Sequence, residues 1–138
     1  MHPVLRNVLV VLGGFIVGAV VNGGIVDLSA TVIPLPDGID PNDMEALMAN
    51  MKDFPPKNFI MPFLAHALGT LAGAYFVSRL AASNHLKLAL LIGLIFLGGG
   101  ITMASVLPAP VWFIVVDLVL AYLPMAYLAW KLAGSPGE

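Results

Sequence analysis

Four stretches of this chain, at positions 4–28, 59–80, 87–107 and 111–132, are apolar nearly throughout, and most polar residues gather between them. Each reaches the roughly 20 residues that a helix needs to cross bilayer hydrocarbon. The runs are continuous, where strands of a membrane barrel would alternate apolar and polar residues over about ten positions. In lipid every backbone amide must find its partner inside the protein, so the helix is the spanning structure that fits. The pattern predicts an all-α polytopic membrane protein, a single domain over 1–138 with four transmembrane helices in an antiparallel bundle.

The connections are unequal: "AASNH" and "PAP" are tight turns, while 29–58 is long and acidic. Within that loop, "DPNDMEALMANMKDF" predicts a short amphipathic helix at about 41–53. Asp40 can cap it, Pro41 suits its first turn and Asp43 stands three residues after the cap. Met44, Leu47, Met48 and Met51 recur on one face, which would lie on the bundle mouth or the lipid interface. In the fourth span Pro124 predicts a kink that frees the carbonyl of Leu120 near Asp117.

Composition removes a soluble alternative. The chain has 138 residues, 59% hydrophobic and 10% charged, with a mean hydropathy of +0.96. A soluble domain carries about 25% charged residues. The absence of cysteine excludes disulfides, thiolate metal sites and a cysteine nucleophile. A net charge of -2 without a basic run argues against a nucleic-acid partner. Arg6, Arg79, Lys87 and Lys131 fall on one side of an even number of spans, so both termini are expected in the cytoplasm and 29–58 outside. The first stretch exceeds the roughly 7–15 apolar residues of a signal peptide and is expected to remain as an anchor.

Polar residues inside the spans carry the functional question, because each is costly there. Counted inward from the outer ends, Asn22, His66, Thr102 and Asp117 all fall roughly 8–11 Å deep at a rise of about 1.5 Å per residue. Four helices thus offer a polar group at one level. An aspartate at a helix centre costs about 2.5–3.5 kcal/mol, and His66 would offset that for Asp117 by pairing as imidazolium or by donating a hydrogen bond. The layer reads either as a hydrogen-bonded clamp between helices or as a proton or cation relay, or small-ligand site, open to the outer face. Tyr122, five residues past Asp117, is expected to face away from it.

Other residues take ordinary roles first. Gly14 and Gly18, and Ala65, Gly69 and Gly73, form small-residue faces for close helix packing. Trp112 with Phe113, and Tyr127 with Trp130, suit the outer and inner aromatic belts. Met44, Met48 and Met51 could hold Cu(I) through their thioethers, or simply pack. No paired-histidine zinc motif or serine elbow is present, and one intramembrane histidine cannot supply both axial ligands of a haem. The chain therefore leans away from an enzyme, and no cofactor is expected.

The order "NGG", then "FLAHALGT", then "WFIVVDLVLAYLPMA" resembles a group of small four-span bacterial inner-membrane proteins without an assigned activity. That resemblance implies the fold and the membrane, and no chemistry. The expectation is a protein of the bilayer, as a homo-oligomer or within a larger membrane complex. Its polar layer serves proton-linked transport of a small solute or ion, or ligand binding. The alternative is an accessory or assembly subunit in which that layer is purely structural.

Overall fold

The computed structural model describes residues 1–137. Among them the chain is all-helical, without strands, and four helices are long and apolar enough to cross a membrane. That is compatible with a multi-pass membrane protein.

Helix α1 spans Pro3–Val32, with Pro3 in the first turn and the His2 side chain accepting the Val4 N–H. Proline suits that position because its missing N–H would have no helical partner anyway. The helix runs past the expected end at 28, since nothing in "SATV" interrupts it before Pro34.

Helix α2 covers Met44–Asn50 and continues into a 3-10 turn at Met51–Asp53. It starts later than expected, because Asp43, not Asp40, is its cap, accepting the Ala46 N–H. The Asp40 carboxylate is occupied by the Asn42 N–H at 2.8 Å. That is the Asx turn which competes with helix capping.

A 3-10 turn at Pro56–Phe59 leads into α3 (Ile60–Leu80), which is followed by α4 (His85–Val106), α5 (Val111–Leu120) and α6 (Leu123–Leu132). The fourth span is thus broken at Ala121 and Tyr122. Pro124 stands in the first turn of α6, and with no N–H it cannot close a bond onto the Leu120 carbonyl.

Packing centres on α3, against which α1, α4 and α6 all lie. Its seam with α1 is made of glycines. A methyl on Gly73 would stand 2.5 Å from the Gly14 carbonyl oxygen, and one on Gly18 would stand 2.7 Å from that of Gly69. Next to this seam, Val77, Ile92 and Trp130 belong to the largest buried cluster. Trp130 is 2% exposed and its indole N–H donates to the Pro136 carbonyl. It is therefore a core residue, not part of an interfacial belt, while its neighbour Tyr127 stays on the surface.

At one end, Arg6 donates to the Leu80 carbonyl, Asn7 accepts the Ala82 N–H and Arg79 reaches the Ala133 carbonyl. These bonds collect Arg6 and Arg79 beside the first turn of α4, with Lys87, and the last turn of α6, with Lys131. At the opposite end Phe54, Phe59 and Phe113 form an aromatic plug, with Leu47 and Met51 pressed against it. Met44 remains exposed and Met48 half-buried, so the methionine face is divided between packing and surface.

Candidate functional site

The glycine seam sets the register that brings polar groups together. One turn beyond Gly18 on α1 stands Asn22, so close to α3 that a methyl on Gly69 would meet its Cβ at 2.9 Å. His66 lies almost one turn from Gly69 toward the N-terminus of α3, at the same level as Asn22.

His66 Nδ1 is 2.7 Å from Asp117 Oδ1, which joins α3 to α5. With its proton on Nδ1, the imidazole donates to that oxygen. The second oxygen, Oδ2, accepts from the Tyr122 hydroxyl at 3.0 Å. The His66 and Tyr122 rings also stack, with centroids 5.8 Å apart at an interplanar angle of 25°. Asp117 is 5% exposed, so both its oxygens find donors in a nearly closed environment, as buried polar groups must.

Tyr122 corrects a sequence expectation. In a continuous helix a residue five positions on is rotated by about 140°, which would turn Tyr122 away from Asp117. The break between α5 and α6 gives Tyr122 a φ of -118° and ψ of -81°, and its ring folds back to the carboxylate. Pro124 was the available signal: a proline that restarts a helix displaces the residues just before it.

Beside the histidine lies a cavity of about 330 Å³, walled by Asn22, His66, Phe96, Gly100, Thr102 and Tyr122, among others. Glycine is required at 100, since a methyl there would stand 2.5 Å from the Tyr122 oxygen. Of the polar residues expected at one level, Asn22, His66 and Thr102 reach this wall, and Asp117 stands behind His66.

Of these four, only His66 and Asp117 bond across helices, to each other. Thr102 donates to the Gly98 carbonyl of its own helix, and Asn22 Oδ1 is buried with no hydrogen-bond partner. A clamp satisfies its members across helices, and here the His66–Asp117 pair alone does so. The aspartate holds the imidazole in one tautomer and one orientation, as carboxylates do wherever a histidine handles protons. Nε2 is left as a lone-pair acceptor without a hydrogen-bond partner, on a side chain that lines the cavity.

Comparison with protein-family models, with curated proteins and with solved structures finds no match to this chain. The class is therefore defined by fold and site alone. It is an all-helical protein with four helices able to cross a membrane, carrying a buried His–Asp–Tyr constellation at the edge of a cavity.

Proposed function

We propose that this is a small inner-membrane protein of four spans in an antiparallel bundle. In this reading its cavity binds a small ligand in exchange for a proton on His66, as the working step of proton-linked transport or ligand binding. The observation that carries the reading is the free Nε2 of an imidazole fixed by Asp117, beside an Asn22 oxygen that has no partner. In this reading both termini are cytoplasmic, and the four cations gathered at one end support that orientation. The cavity then sits in the outer half of the bilayer. The short loop helix and its aromatic plug cap the extracytoplasmic side.

Flux through the protein in liposomes tests this. With an imposed pH gradient and a trapped pH dye, the wild-type protein is expected to discharge the gradient faster than protein-free liposomes. His66→Ala is expected to return the rate to that background. If wild-type flux equals background, and His66→Ala only lowers thermal stability, the polar layer is a structural clamp.

A second reading has its own support. Gly23, Gly24, Gly98 and Gly99 have nothing within 4 Å of where a side chain would begin, and exposed small residues on spans can receive another helix. An accessory role, or a homo-oligomer, would use those faces. Mild-detergent purification decides, since a stable stoichiometric partner favours the accessory role and a monodisperse single chain removes it.

A further inference from the structure

The cavity beside His66 is a cleft in the side of the protein. Toward the cation-bearing end it is bounded by Phe96 on α4, whose ring stacks on Phe15 of α1 with centroids 5.6 Å apart. Beyond that pair both helices turn to open glycines, Gly23 and Gly24 on one, Gly98 and Gly99 on the other. Gly99, Thr102 and Met103 line the cavity and are also exposed on the surface of α4. A cleft whose wall is the outer face of a spanning helix opens toward lipid. What fills it comes from the bilayer.

The wall chemistry narrows the occupant. Phe96, Gly99, Gly100 and Met103 are apolar, the Tyr122 hydroxyl is committed to Asp117, and the Thr102 hydroxyl to Gly98. Two acceptors remain free, the His66 Nε2 lone pair on α3 and the Asn22 Oδ1 on α1. The titratable groups facing His66 are Asp117 on α5 and Tyr122 at the helix break; α1 and α4 add none to the wall. No lysine or arginine lines the cleft, and the carboxylate behind His66 opposes an anion. A phosphate or carboxylate headgroup does not fit. A volume of about 330 Å³ is at the low end of small-molecule sites, about 300–1,000 Å³. It suits one ring system whose tail leaves through the open side. Glycines opposite an aromatic ring make a slot for something flat.

We infer that the cleft binds the head group of a lipid-soluble quinone in its reduced, quinol form, with one ring hydroxyl donating to His66 Nε2 and the other to Asn22 Oδ1. This rests on the proposed reading that His66 exchanges a proton with what the cavity holds, and it names the ligand.

The experiment uses the full chain in phosphatidylcholine nanodiscs equilibrated with decylubiquinone chemically reduced to its quinol. Quinone retained is extracted and counted against empty discs, alone and with excess decanol. Wild type is expected to saturate near one quinone per chain and to be unaffected by decanol. Gly99→Leu fills the slot at a position with free space around it. It is expected to weaken binding at least tenfold with an unchanged thermal midpoint, and Asn22→Ala to weaken it severalfold to tenfold. Retention no greater than in empty discs, equal affinity in Gly99→Leu, or displacement by decanol overturns the inference; so does a co-purified protein helix occupying the cleft. Flux that depends on His66 without quinone binding removes the quinone and leaves the proton-linked reading standing. Saturable quinone binding with flux independent of His66 keeps the ligand and removes the proton role.

Discussion

Gly73→Val is expected to abolish the packed form of this protein. The first atom of the new side chain would lie 2.5 Å from the Gly14 carbonyl oxygen, and Gly18 Cα is 3.4 Å from the same point. Both obstacles are backbone of another helix, which cannot rotate aside as a side chain can. Overpacking of this kind costs typically 1–3 kcal/mol and occasionally more; with backbone at every contact we expect about 3 kcal/mol or above. Since α1 lies chiefly against α3, losing that seam frees α1 altogether. Gly98→Ala is the matched control. Nothing stands within 4 Å of that position, and alanine favours a helix over glycine by up to about 1 kcal/mol. Thermal unfolding in detergent, followed by circular dichroism and size exclusion, reads both. An unchanged midpoint for Gly73→Val would show that the glycine contact is not what holds α1.

The second large effect belongs to Asp117. Substitution by alanine strands two donors at once, the His66 N–H and the Tyr122 O–H, in surroundings that are nearly closed. A buried group without its partner costs about 1–3 kcal/mol, so Asp117→Ala is expected to lose roughly 2–6 kcal/mol. Tyr122→Phe, which removes a donor and leaves the carboxylate bonded to His66, is expected to lose less, about 1.5–3 kcal/mol. Flux separates structure from function. Removing the carboxylate that orients a metal-bound histidine costs on the order of 10–100-fold, and a loss at least that large is expected here in Asp117→Asn. If Asp117→Asn keeps wild-type flux, the carboxylate does not orient a working imidazole.

Much of this architecture could be read from residue order, because span length and depth depend on one constant, the rise per residue. Counting inward from the outer ends was enough to put Asn22, His66 and Thr102 on the wall of one cavity. What depth does not carry is rotation about each helix axis. Thr102 lies at that level yet turns to its own Gly98 carbonyl, and Tyr122 turns inward because α5 ends at Leu120. Capping in the loop was misplaced for a similar reason. Asp40 and Asp43 are both competent caps, and the choice between them depends on the turn that holds the Asn42 N–H. The cleft itself has no signature in one span alone. It exists because glycines of α4 face residues of α1 and α3 that lie far from them in sequence.

The seam between α1 and α3 also sets a waiting time. The glycines that receive α1 lie at Gly69 and Gly73, so α1 is finished roughly 40–50 residues before its partner is complete. At about 5–20 residues per second it spends on the order of 2–10 s as a lone span. An isolated helix tolerates that interval if it holds little that lipid rejects. Between Arg6 and Asp27, α1 carries Asn7 and Asn22 as its only polar side chains, and the charged partner of the site arrives last, on the final span.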